Sequence, residues 1–325
     1  MLRLIRRVAV FGLAVAGFLA LVIGGLVANP VSRTRELRSI GDTVRAADRN
    51  GMPPLSYFQA RDGTSLAYRR YPARSSQTSG AAILIHGSSG SSVAMHPLAR
   101  ALAERGVESF VPDMRGHGSS GTRGDIGYIG QLDDDLADMV AHIRTGGTAL
   151  PLTLAGHSSG GGFALRVAGS ANQNLFTRTV LLAPYLGVKA PSTRPNAGGW
   201  ASPDVPRIIG LSVLRSIGIV CCEQLPVIAF AVPEGSARIL TAEYSYRLLM
   251  NFGPNRDYRV DLDAAKGRVT LIAGADDELM LSAKYPEAMQ GKANIDVRIL
   301  DKVNHMDVVS TGAVVALVAD DIATR

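Results

Sequence analysis

Ser158 is the residue of this sequence best placed to act as a nucleophile. It stands in Thr153-Leu154-Ala155-Gly156-His157-Ser158-Ser159-Gly160-Gly161-Gly162, where Leu150, Leu152 and Leu154 supply an apolar approach and residues 156–160 fit G-x-S-x-G. Residues 161–168 can continue as a helix. A serine on such a strand-to-helix turn takes a strained backbone conformation, and a side chain at either glycine would collide with neighbouring backbone. At neutral pH the alcohol also needs a base, an acid to orient that base, and donors for a developing oxyanion.

The base is His305, in Val303-Asn304-His305-Met306-Asp307, between the last expected strand and the last expected helix. That loop falls at the carboxyl edge of the sheet, as Ser158 does, where ligands of open α/β sheets bind. The other five histidines fit worse. His157 lies within the nucleophile turn facing away from the serine, His86 and His117 belong to turns, and His96 and His142 fall on expected helices. The acid follows the buried strand of Leu271-Ile272-Ala273-Gly274-Ala275-Asp276-Asp277-Glu278-Leu279; Asp277 is preferred over Asp276, with Glu278 third. Backbone amides of Ser88 and Ser159 are the oxyanion donors, the first with a one-residue margin because His86-Gly87-Ser88-Ser89-Gly90 is a plain Gly/Ser turn.

The elements that position these groups alternate. Strands are expected at 56–60, 65–71, 81–85, 107–111, 150–155, 179–183, 269–273 and 295–300, and helices at 96–105, 131–145 and 311–322. Asp62-Gly63 joins the first two strands as a hairpin. Short apolar strands alternating with amphipathic helices imply an α/β fold, a mostly parallel sheet covered on both faces. Residues 187–245, with six prolines and the only tryptophan, Trp200, interrupt the pattern as a cap insertion between core segments 55–186 and 246–325.

The chain has 325 residues, 46% of them hydrophobic, and a net charge of +6. Residues 1–50 hold eight arginines against three acids, so the excess is local and no nucleic-acid partner is implied. The arginines flank an uncharged apolar run, residues 8–28, which at a helical rise spans about 30 Å, enough to cross a hydrocarbon core. A single-pass membrane anchor, with residues 29–54 as a juxtamembrane linker, is the expectation. A cleaved signal sequence and a buried helix are the alternatives, and Leu26-Val27-Ala28-Asn29-Pro30 makes a poor cleavage site. Arg3, Arg6 and Arg7 favour an inside N-terminus and a domain outside the cytoplasm. Cys221 and Cys222 are adjacent, which disfavours a disulfide between them, and two buried thiols are expected.

Together these motifs resemble the α/β-hydrolase fold family. His86-Gly87, Asp113-Met114-Arg115-Gly116-His117-Gly118-Ser119-Ser120, the nucleophile turn, Gly274-Ala275-Asp276-Asp277 and His305 look like its successive motifs, in the order Ser, Asp, His. The similarity runs from about residue 56 to the C-terminus and is greatest to the monoacylglycerol lipase, lysophospholipase and serine-aminopeptidase-like branch. It implies a serine hydrolase acting on an ester without a metal or cofactor, and the apolar patches of residues 187–245 together with the anchor favour an apolar or lipid-like acyl group. Peptide or amide cleavage is the second reading, with Glu223, Glu234 and Glu243 as candidate amine binders, and a non-catalytic anchored binding protein is the third.

Overall fold

The computed structural model describes residues 1–75, 78–236 and 239–324. Helix α1 (Leu2–Ala28) is exposed along nearly its whole length, and residues 3–28 are long and apolar enough to cross a membrane. Within the stretch expected as a linker the chain forms helix α2 (Arg38–Ala46). Its Ile40 is buried in the main core, and the Leu37 N–H donates to Ala231 O at 3.0 Å.

The remaining elements build one large sheet. Strands β1 (Ser56–Gln59) and β2 (Ser65–Tyr71) form the antiparallel hairpin. Then follow β3 (Gly80–Ile85), α3 (His96–Glu104), β4 (Val107–Pro112), α4 (Gln131–Thr145), β5 (Leu152–His157), α5 (Ser159–Ala168) and β6 (Arg178–Leu182). An excursion next contributes β7 (Ala201–Pro203), α6 (Val205–Ser216), β8 (Pro226–Phe230), β9 (Glu243–Ser245), α7 (Tyr246–Asn251) and α8 (Tyr258–Ala264). The chain closes with β10 (Arg268–Gly274), α9 (Tyr285–Ala288), β11 (Ile295–Leu300), α10 (Asp307–Ser310) and α11 (Gly312–Ala323).

The sheet order is β1-β2-β4-β3-β5-β6-β10-β11, parallel from β4 onwards. Strands β3, β5 and β6 are apolar through most of their length because helices cover both faces, so alternation with polar residues would bury charge. Helix α4 carries Asp133 and Asp134 in its first turn and Arg144 in its last, matching the helix dipole. Strand β5 begins two residues later than the apolar pattern implies, at Leu152, because Pro151 has no N–H to give the ladder.

Strands β6 and β10 are neighbours, so residues 183–267 leave and re-enter between adjacent strands. Within that excursion β7, β8 and β9 form a separate antiparallel sheet. The thiols there are not two buried groups: Cys221 is exposed and Cys222 half-buried, because residues 217–221 leave α6 in an exposed turn that no core element covers.

The turn after β5 has no spare volume. A Cβ on Gly156 would lie 2.1 Å from Gly160 O, and one on Gly160 would lie 2.4 Å from His86 O. Both obstacles are backbone and cannot rotate away. Gly156→Ala is expected to cost about 1–3 kcal/mol, as overpacked core sites do, and to lower Tm by about 2–4 °C per kcal/mol. Thermal unfolding checks this; an unchanged Tm would contradict the close approach.

Candidate active site

Four loops at the carboxyl edge of the sheet bring the sequence-derived residues into one region. Ser158 follows β5 with φ 54° and ψ −118°, a left-handed conformation unusual for a residue with a side chain. Three backbone bonds hold it: its N–H donates to Leu182 O at 2.9 Å, and its carbonyl accepts from the N–H groups of Gly162 and Tyr185, each at 3.0 Å. The strain is therefore overdetermined by the two strands and helix that meet there.

Asp277, on the turn after β10, is buried, whereas Asp276 is exposed. One carboxylate oxygen of Asp277 accepts from the backbone N–H groups of Leu279 and Met280, both at 2.8 Å. The other lies 2.8 Å from His305 Nδ1. Burial pushes Asp277 towards the neutral form. The charge and hydrogen bond of His305 and the two amides outweigh it, holding the carboxyl below its usual range. An ionised Asp277 fixes the His305 proton on Nδ1 and leaves Nε2 as the acceptor. Glu278 serves the same loop differently, accepting from the His305 backbone N–H at 3.1 Å.

His305 is tied to the nucleophile turn by a residue that sequence reasoning left without a role. His157 Nε2–H donates to His305 O at 3.0 Å, and the two rings lie 4.8 Å apart. His305 is thus tethered to the residue preceding Ser158. Among the described residues Ser158 Oγ makes no hydrogen bond, and the hydrogen bond of the His305 ring is the one from Nδ1 to Asp277.

The loop after β3 faces the same turn, with a Cβ at Gly87 falling 3.2 Å from Ser158 Cβ. The Ser89 N–H is committed to Tyr244 OH at 2.6 Å. Neither the Ser88 nor the Ser159 amide donates to a protein acceptor among the described residues. Ser88 Oγ accepts from Trp200 Nε1 at 2.9 Å, and Ser89 Oγ donates to Thr241 O at 2.6 Å. Tyr244 OH in turn donates to His117 Nε2 at 2.6 Å. Tyr244 and Thr241 carry no sequence signal, since nothing local marks a contact across about 150 residues. Trp200 is conspicuous only as the sole tryptophan.

A groove of about 1070 Å³ opens beside the His305 loop, with Val93, Leu240, Met306 and Val315 on its walls; Ser158 does not line it. Among the described residues no group of three His, Cys, Asp or Glu side chains is arranged to hold a metal ion.

Residues 76–213 match the model of the family described as serine aminopeptidase, S33. No curated protein matches the chain. Among solved structures, a soluble variant of monoglyceride lipase from Saccharomyces cerevisiae, in complex with a substrate analog, is 18% identical with a TM-score of 0.62, covering 85% of this chain and 95% of that one. Monoacylglycerol lipase from Paleococcus ferrophilus is 18% identical, TM-score 0.52, over 78% and 98% of the two chains. A membrane phospholipase A, described as a bacterial virulence factor, is 18% identical, TM-score 0.56, over 100% of both. At these identities the structural likeness establishes a shared fold and nothing finer.

The histidines beneath the site make its stability acid-sensitive. Burial lowers His86, burial and the neighbouring His86 lower His117 well below the usual value, and burial with His305 nearby takes His157 down to about 3. Unfolded, each titrates near pH 6.5, so below that pH the unfolded chain binds protons the folded one refuses. Each then removes about 1.4 kcal/mol of stability per pH unit until its own folded pKa is reached. Tm is expected to fall from about pH 7 to about pH 5; a flat profile would contradict neutral burial.

Proposed function

We propose that the chain, which has the α/β-hydrolase fold and whose residues 76–213 match the serine aminopeptidase S33 model, is a serine hydrolase that cleaves carboxylic esters of apolar, lipid-like acyl groups. The observation that carries the proposal is the fixed Asp277–His305 pair, tethered through His157 to the strained Ser158 turn.

In this mechanism His305 Nε2 takes the Ser158 proton as Oγ attacks the acyl carbonyl, and Asp277 stabilises the imidazolium. The amides of Ser88 and Ser159 receive the oxyanion of the tetrahedral intermediate. Collapse of that intermediate breaks the ester C–O bond, and His305 gives its proton to the leaving alcohol. Water, deprotonated by His305, then releases the acid and restores Ser158. The commitment of the Ser89 amide to Tyr244 supports Ser88 as the donor from that loop.

Residues 187–245 are proposed as a cap and α1 as a retained anchor. Two contacts of Val27 favour retention over cleavage. Arg207 Nε donates to Val27 O at 2.8 Å, and Val27 packs on the cluster of Leu211, Val227 and Tyr246. Cleavage after a signal sequence would strip these partners from α6. The orientation outside the cytoplasm rests on Arg3, Arg6 and Arg7. The anchor, with the lipases and phospholipase among the structural neighbours, supports a lipid-like ester.

Aminopeptidase activity is the second reading, favoured by the family description. It needs carboxylates free to hold an amine. Glu223 is paired with Arg215 and Glu243 with Arg33, each at 2.7 Å, which weighs against it. Ser158→Ala is expected to lower kcat on p-nitrophenyl esters about 10⁴-fold or more. Undiminished turnover would remove Ser158 from the mechanism. Across an acyl series kcat/KM should rise from acetyl towards longer chains. A maximum at acetyl, or faster cleavage of aminoacyl-naphthylamides, would overturn the lipid-ester assignment.

A further inference from the structure

Helix α6 carries a second apolar surface besides the face it buries. Val205, Ile209, Val213 and Ile217, each four residues apart, lie on one side of the helix and its C-terminal extension, and Ile219 and Val220 continue the strip. All six are exposed, Ile217 and Val220 by 62% and 64%. A continuous row of branched aliphatic side chains in water is an unfavourable arrangement that a soluble surface rarely keeps.

The position of α6 says what covers it. On its other side α6 packs against the last turns of α1, where Ile23, Leu26 and Val27 are half-buried. Gly210 makes the close approach: a Cβ there would meet Val27 Cγ2 at 2.9 Å and Leu26 Cβ at 3.1 Å. Arg207 bonds the Val27 carbonyl, and Asn29 bonds the α6 N-cap residue Asp204. Ile23 is five residues from the end of α1, about 7.5 Å at helical rise, and the apolar run is about as long as a hydrocarbon core is thick. A helix packed on that turn shares its depth. The free face of α6 therefore meets the medium that surrounds Leu26 and Val27.

We propose that α6 and residues 217–220 rest in the lipid bilayer as an interfacial extension of α1. The Val205–Ile217 row lies among the acyl chains, and Arg215, paired with Glu223, stands at headgroup level. This rests on α1 being a retained anchor. It has a consequence for the proposed site, because the segment that holds α6 also holds the Ser88–Ser89 loop through Trp200, Thr241 and Tyr244. A bilayer-seated α6 sets the cap and that loop at a fixed height above the lipid.

The test uses the full chain with Cys221→Ser, Cys222→Ser and Ser158→Ala, reconstituted in phosphatidylcholine–phosphatidylglycerol vesicles. An environment-sensitive fluorophore is attached singly at Ile209→Cys, Val213→Cys or Ile217→Cys. Phe18→Cys in α1 and Val260→Cys, exposed on α8, serve as references. Doxyl-labelled phosphatidylcholine is expected to remove most of the emission at 209, 213, 217 and 18 but little at 260, with iodide giving the reverse. Iodide quenching at 213 and 217 without lipid quenching, while 18 remains lipid-quenched, would overturn this proposal and leave the anchor standing. Loss of lipid quenching at 18 would overturn the anchor and this proposal together. Protection from both quenchers, with cross-linking between copies at position 217, would overturn it in favour of a second copy of the chain. No outcome depends on turnover, so the hydrolase assignment is tested separately.

Discussion

A single backbone constraint organises the molecule: Ser158 must occupy a left-handed conformation between a central strand and a buried helix. Only a crossing without side chains permits it, and Gly156 and Gly160 provide that crossing at distances no Cβ could share. The neighbouring strand β6 then receives the Ser158 amide, and the chain just after it bonds the carbonyl, so the strained residue is fastened on both sides. Because β5 lies near the middle of the sheet, the loops after β3, β10 and β11 end at the same edge. A parallel sheet thus gathers at one edge groups that lie far apart in the chain.

Neutral hydrogen bonding then fixes those groups at small electrostatic cost. His86 accepts from the Met114 N–H at 3.1 Å, which places its proton on Nδ1, facing Gly87 O at 2.8 Å. His117 accepts from Tyr244, and Tyr244 accepts from Ser89. Each member has its partner, the condition under which a buried polar network orders a site rather than destabilising it. The charged exception is the Asp277–His305 pair, where two backbone amides share the carboxylate's negative charge. The same inserted segment reaches from the exposed apolar helix α1 to the Ser88–Ser89 loop.

The features legible in the sequence are those with local causes. The β5–Ser158–α5 turn could be read because its glycines and apolar approach are contiguous, and β3, β10 and β11 because burial on both faces demands unbroken apolar runs. The preference for Asp277 over Asp276 came from its place in a resembled motif, and the structure adds a physical distinction in their burial. The partners of the Ser88–Ser89 loop were not legible, because Trp200, Thr241 and Tyr244 meet it only through the tertiary fold. Helix α2 was hidden by its arginine-rich composition, although Ile40 supplies the contact that docks it. The small sheet of β7, β8 and β9 was obscured by prolines at its strand ends, where a missing N–H is tolerated. The exposure of Cys221 depended on a turn outside the protein core that no periodicity announces.

The central claim is that Ser158 is an activated alcohol served by His305. The most direct measurement is covalent: treat the full chain at neutral pH with a fluorophosphonate and map the adduct by mass spectrometry, beside His305→Ala. The account predicts one phosphonylated residue, Ser158, formed far more slowly in His305→Ala. An unmodified Ser158 in folded protein, or equal labelling rates in the two proteins, would contradict it.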